Sequence, residues 1–268
     1  LKPFETDGKS SGTPDDRWVF TNRIPWLDYY TVATLAASNR ALKQYNQKLA
    51  DESLQLAIKL WDETNTLPKT DTLRGPSFFR RNAEIGAALQ LYISTKDARY
   101  KEKFDALIWP ALEGSLQFSI SAALQAYPHM DRSYQKKLKD YVVKYKTMMD
   151  NLSADNPYGV PMTARGWGGN STIINWAITN YYAHQAFPDI VNAEYVFKGL
   201  HYIFGCHPYS NLSFVSAVGT RSKRVTYGNN RADFTYIAGG VVPGLLILKP
   251  DFPENKEDWP FLWGENEV

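Results

Sequence analysis

The chain has 268 residues, 44% of them apolar, and a formal net charge of +2. That is enough material for a sizeable core, which excludes a disordered chain, and it lacks the basic surplus of a nucleic-acid binder. No apolar run approaches the roughly 20 residues that a membrane helix needs; the best, residues 237–248, is broken by Gly239, Gly240, Pro243 and Gly244. One cysteine, Cys206, excludes an internal disulfide framework and a cysteine-rich zinc site. No pair among the four histidines stands at helical ligand spacing, so no histidine metal centre is expected. Aromatic residues make up 14%, with 17 Tyr and 8 Trp. They serve the core first, and a surplus in loops can serve as stacking platforms for sugar rings.

In chain order, residues 1–24 are polar and turn-rich (TDGKSSGTPDD) and read as loop or linker. Pro25 suits the first turn of a helix, and Trp26, Tyr29, Tyr30, Ala33 and Ala37 follow at the spacing of a buried face. A second helix is expected over 48–64, with Leu49, Leu54, Ala57, Ile58 and Trp61 on one side, followed by the polar loop NTLPKTDTLRGP. A third covers 79–94, with Ile85, Ala88, Leu89 and Tyr92 inward, and a fourth begins near Asp97, a suitable N-cap. Residues 106–126 read as one or two helices with a break at Pro110. The next helix spans 132–151, its inward stripe formed by Tyr134, Leu138, Tyr141, Val142 and Tyr145.

The long loop SADNPYGVPMTARGWGGN leads to a helix capped by Asn170 or Ser171 and running to about 187. AEYVFKGLHYIFG is the last helix, with Gly205 as its stop. Residues 206–268 lose the helical period, and a compact domain keeps so long an irregular segment when it has a use for it. Residues 25–205 therefore read as helical hairpins that form a scaffold, and 206–268 together with the 153–170 loop as the site. There is no heptad seam or short repeat, which argues against a coiled coil or a solenoid. Paired helices with long aromatic loops fit a helical toroid and a generic helical bundle alike.

Five stretches then occur in order: NPYGVPMTARGWGGNS (156–171), YIFGCHPYSNLSFVSAVG (202–219), NNR (229–231), GGVVPG (239–244) and WGENEV (263–268). Together they resemble the catalytic domain of glycoside hydrolase family 9, the inverting cellulase-type enzymes. The resemblance extends over most of the chain from about residue 17. It implies an all-α (α/α)6 barrel, a six-hairpin toroid, incomplete here because about eight helices are visible, with a long irregular C-terminal segment. On this reading residues 1–268 are one portion of a catalytic domain, shorn at both ends. The branch it looks closest to includes exo-acting glucosaminidases with an immunoglobulin-like domain ahead of the barrel.

The resemblance places Glu267 on the family's general acid, the glutamate of its closing N-E-V. Aromatic neighbours such as Trp259, Phe261 and Trp263 are the setting that raises a carboxyl pKa by disfavouring the charged form. An inverting enzyme also needs a second carboxylate about 6.5–9.5 Å away to activate water. The family's D-A-G-D-type motif is absent, and Asp15–Asp16 beside Arg17–Trp18 reads as a loop pair. The family's His-His-Arg becomes Asn229–Asn230–Arg231. Arg231 can donate a forked pair of hydrogen bonds, and the asparagines can bond sugar hydroxyls without titrating. Trp167 and Trp263 are candidate sugar platforms, Trp167 equally a wedge under the helix it precedes, and Tyr158, in a similar loop, a candidate that can pack instead; Asn170 reads as a helix cap. No cofactor is expected, although Asp233 and Asp251 offer oxygens to a structural Ca2+.

The implied activity is hydrolysis of β-glycosidic bonds in a glucan or glucosamine-containing polymer. The implied partner is that oligo- or polysaccharide, with no nucleic acid and no membrane, and the implied location is secreted or periplasmic. Two other readings stay open. Asn229, Asn230, Arg231, His207 and Tyr227 could serve a polysaccharide lyase on a helical toroid, and the missing base would suit a non-catalytic carbohydrate-binding fragment.

Overall fold

The computed structural model describes residues 23–67, 77–154, 156–161, 169–207, 210–222, 238–242 and 244. Among them are seven α-helices and only short extended pieces. The chain divides into two compact units, Leu1–Leu107 and Ile108–Val268. No helix among the described residues is long and apolar enough to cross a membrane.

The first unit holds α1 (Pro25–Leu42), α2 (Gln47–Thr66), α3 (Ser77–Thr95) and the start of α4 (Ala98–Ala126). Pro25 opens α1, where its missing N–H costs no helical bond. Asn46 caps α2 by accepting from the Leu49 N–H at 3.0 Å, and Asp97 accepts from the Arg99 N–H at 2.9 Å as α4 begins. α1 rests on both α2 and α3. Its buried residues are Pro25, Tyr29, Val32, Ala36 and Asn39, one face at helical spacing.

That face is rotated from the expected one, because Tyr30 is 58% exposed. Small and branched side chains let α1 approach two helices at once. The bulkier Trp26 and Tyr30 instead meet edge-on at 6.1 Å, and Trp26 also touches Phe79. α2 shows a similar shift: Ala50, Ser53, Ala57, Trp61 and Thr64 are buried, and Leu49 is exposed. Tyr29, Trp61 and Tyr100 meet in the core, tilted and then edge-on, at centroid distances of 5.4 and 5.6 Å. Arg40 reaches from α1 to the Gln90 carbonyl and the Ser94 hydroxyl of α3.

The second unit begins within α4. Pro110 lies inside this helix without ending it; the backbone leaves helical geometry at Ser115 (φ −159°, ψ 54°). The break thus falls on the Gly114–Ser115 pair, whose low helix preference offers a cheaper place to depart than the proline does. A 3₁₀ turn, Tyr127–His129, leads to α5 (Arg132–Ala154). Asp131 caps α5 through the Tyr134 N–H, and Tyr134, Leu138, Tyr141, Val142 and Tyr145 are all buried as their spacing predicts. Tyr134 also donates to the Ala123 carbonyl at 3.0 Å, tying α5 to α4.

α6 (Asn170–Ala186) packs on α7 (Glu194–Ile203). They come close at Gly199, where a methyl group would lie 2.9 Å from the Ala177 Cβ. α7 ends as expected at Gly205, which adopts φ +92°. Its N–H bonds the Tyr202 carbonyl, and the Cys206 N–H bonds that of His201. This Schellman arrangement uses the carbonyls left over at the helix end. After it come β1 (Leu212–Ser213) and β2 (Arg221–Ser222), which pair in parallel.

Candidate functional site

Of the candidate site residues, Glu267, Trp263, Asn229, Asn230, Arg231 and Trp167 lie outside the described residues, as do Asp233 and Asp251. Tyr158 is described. Asn156 shapes its turn: the amide donates to the Leu152 and Val160 carbonyls, and its oxygen accepts from the Tyr158 N–H at 3.0 Å. The half-buried Tyr158 ring stands edge-on to Tyr202 and His207 at 5.6 and 5.4 Å. His207 is held by the Tyr202 carbonyl at 2.9 Å and by the Ser210 hydroxyl at 3.3 Å. Phe214 closes this cluster, 5.3 Å from Tyr202.

Three of the five motif stretches meet here. Phe214 donates its N–H to the Ile203 carbonyl at the end of α7 and accepts from the Val242 N–H, both at 3.0 Å. Val215 pairs with Val241 in an antiparallel bridge, and Ser216 exchanges two bonds with Gly239 and Gly240. The Val242 carbonyl then accepts from the Asn170 side-chain amide at 2.8 Å. Asn170 is therefore not the expected N-cap: Gly169 holds that position, and the Asn170 side chain is buried and turned to the 239–244 stretch. Gly244, at φ +99°, lies so close that any side chain would strike this amide.

The resulting clip joins the start of α6, the end of α7, residues 213–216 and residues 239–242. It also anchors both flanks of the segment carrying Asn229, Asn230 and Arg231. Ser222 pairs beside Ser213 on one flank, and Gly239 bonds Ser216 on the other.

A cleft of about 570 Å³ opens beside the first turns of α6, between them, α5 and the part of α4 after its break. Its floor is Tyr145, Met149 and Trp176, all buried. Burial raises the Tyr145 phenol pKa, so the group is neutral. The Trp176 indole N–H is buried without an acceptor among the described residues. Gln117, Phe118, Thr172 and Asn175 form an exposed rim, and Pro161, which ends the Tyr158 turn, forms one side.

The profile described as "Glycosyl hydrolase family 9" matches residues 13–234. The chain belongs to glycosyl hydrolase family 9. The matched span includes Tyr158, Trp167 and Asn229–Asn230–Arg231 and stops before Glu267. Similar solved structures include a single mutant of a thermostable endoglucanase from Alicyclobacillus acidocaldarius, at 17% identity and TM-score 0.65, covering 84% of this chain and 47% of that one. AaCel9A in complex with a cellobiose-like isofagomine has 18% identity and TM-score 0.71, covering 94% and 51%. A Bacteroides ovatus GH9 protein has 20% identity and TM-score 0.63, covering 82% and 46%. No curated protein matches.

This family 9 chain is accordingly all-α, with helices of the (α/α)6 class, and it spans about half the length of the solved structures it matches. Sequence reasoning missed two things. The role of Asn170 depends on a partner 72 positions away, which no local pattern shows. The cleft residues Gln117, Phe118 and Asn175 sit in helices read as scaffold, and only their exposure separates them from core.

Proposed function

We propose that this protein is a glycoside hydrolase that cleaves the β-glycosidic bonds of a glucan or glucosamine-containing polysaccharide by an inverting acid/base mechanism. Family membership over residues 13–234 carries the reading. In it, Glu267 is the general acid. In this reading the aromatic residues that precede it in the sequence, Trp259, Phe261 and Trp263, help it keep its proton near neutral pH and pass it to the departing glycosidic oxygen. Arg231 bonds substrate through its guanidinium fork, with Asn229 and Asn230 on sugar hydroxyls. Trp167, Trp263 and Tyr158 offer ring faces. The described clip supports this assignment, since both flanks of the 223–237 segment rest on one hydrogen-bonded frame. A polymeric substrate implies a secreted or periplasmic enzyme.

The test is turnover of a soluble β-glucan by the intact protein, followed by the release of reducing ends. Glu267→Gln is expected to lower kcat by about 100-fold or more while substrate still binds, because general-acid assistance contributes roughly 10²–10⁴. Normal turnover in that variant removes the assignment. A product absorbing in the ultraviolet identifies a lyase, and binding without turnover by the unmutated protein identifies a carbohydrate-binding fragment; either overturns the hydrolase reading.

A further inference from the structure

His207 stands where the Tyr158 turn, the end of α7 and the loop into β1 meet. Its half-buried ring lies 5.4 Å from that of Tyr158 and 5.0 Å from those of Tyr202 and Phe214. Both ring nitrogens are engaged. Nε2 lies 2.9 Å from the Tyr202 carbonyl. A carbonyl oxygen only accepts, so Nε2 carries the proton. Nδ1 then accepts from the Ser210 hydroxyl at 3.3 Å, and the Ser210 oxygen in turn accepts from the Leu212 N–H at 3.4 Å. The His207 backbone N–H is shared between the Gly205 and Ser210 carbonyls at 2.9 and 3.3 Å.

An aliphatic side chain could fill the space among these rings, but it could not fix a direction. Bonds at both nitrogens stop the imidazole from turning about χ2, and the fixed plane meets Tyr158 at 87°. Tyr158 meets Tyr202 on its other contact, and Tyr202 is buried in α7. His207 belongs instead to the loop that leads through Leu212 to β1. β1 pairs with Arg221–Ser222, the near flank of the segment carrying Arg231. One side chain thus links the Tyr158 turn to that flank.

We propose that His207 is a positioning residue of the substrate site, orienting the Tyr158 ring and tying its turn to the loop that enters β1. The inference rests on the hydrolase reading, in which Tyr158 and Arg231 take substrate, and His207 acts through Tyr158 rather than on the sugar.

The experiment measures KM and kcat on a soluble β-glucan, and affinity for cellotetraose by calorimetry, in the intact protein and in His207→Ala, His207→Gln and His207→Asn. His207→Ala is expected to raise KM and the cellotetraose Kd about 3–10-fold, with kcat held within about twofold because the general acid is untouched. The glutamine amide nitrogen reaches the Nε2 position and restores the bond to Tyr202, so His207→Gln should recover most of the loss. Asparagine is a methylene shorter and stops near Nδ1, so His207→Asn should recover less. Tyr158→Ala should raise KM by a similar factor, and adding His207→Ala to it should change little more, because the one effect runs through the other. A side chain with only a packing role would lower the melting temperature and the folded fraction, which reduces the apparent kcat and leaves KM where it was.

Unchanged KM and Kd in His207→Ala overturn the proposal, and the hydrolase reading then stands if the parent turns over glucan. Fully additive effects of Tyr158→Ala and His207→Ala overturn it as well. If the parent binds cellotetraose without turnover and the variants weaken that binding in the expected pattern, the positioning role stands and the hydrolase reading fails. A parent that neither binds nor hydrolyses a β-glucan overturns both.

Discussion

Asn170 occupies the first position of α6 with its side chain 1% exposed. One half of its amide is spent on the Val242 carbonyl, and its oxygen has no partner among the described residues. An orphaned acceptor of this kind costs about 1–3 kcal/mol. The site keeps it because Gly244 presses on the same amide and the donor half fixes the 239–244 stretch. Asn170→Asp keeps the shape, removes the donor and sets a carboxylate oxygen against the Val242 carbonyl. Burial and that carbonyl both disfavour the charged form, so the introduced carboxyl has a folded-state pKa above its unfolded value of about 3.9. Its neutral form is then the tolerated one, with stability present below pH about 4 and lost as the pH rises. Thermal melts should show Asn170→Asp well below the parent at pH 7 and closer to it at pH 3.5. Equal gaps at the two pH values would mean that the side chain is free to turn to water.

Among the helices, the junction of α6 and α7 leaves no room for a side chain at Gly199. At Gly199 a methyl group would meet Ala177, the Ile173 carbonyl at 3.3 Å and the Trp176 ring at 3.4 Å, with backbone on one side. Gly199→Ala should therefore force the helices apart and cost about 1–3 kcal/mol. Gly86, inside α3, has no atom of the described residues within 4 Å of where a methyl group would go. There Gly86→Ala gains the helix preference of alanine and should stabilise by roughly 0.5–1 kcal/mol. Denaturant midpoints moving in opposite directions in these two variants would confirm the contrast.

Much of this level was legible in the sequence. The α5 stripe and the Gly205 stop follow from spacing and from the φ > 0 that glycine permits. The buried faces of α1 and α2 were not, because which of two adjacent faces turns inward depends on the neighbouring helices. A proline drew the break in α4 to the wrong place, since a Gly–Ser pair five residues later offered the easier departure. The clip escaped notice for a related reason: apart from the Asn170 amide it is made by backbone groups of distant segments, which carry no side-chain signature.

Across the whole molecule the common feature is tyrosine held neutral in the interior. Burial pushes the Tyr29 phenol up to about 12, with Glu84 adding to the shift. Donation to Glu113, with burial second, pushes Tyr141 up to about 12 as well. Burial raises Tyr145 and Tyr202 too, and the Tyr202 hydroxyl is buried without a partner among the described residues. An unfolded tyrosine ionises near pH 10. Each raised group therefore contributes stability that is intact below about pH 10 and is lost as the pH climbs through the folded-state value. The melting temperature should hold between pH 7 and 9 and fall steeply above 10. Tyr145→Phe and Tyr202→Phe remove the ionisable hydroxyl from both folded and unfolded chains, so each should make that alkaline fall shallower. For Tyr202→Phe the neutral-pH stability should also hold or rise, because an unpartnered buried hydroxyl is deleted. A variant with the parent's alkaline slope would show that its phenol reaches water in the folded chain.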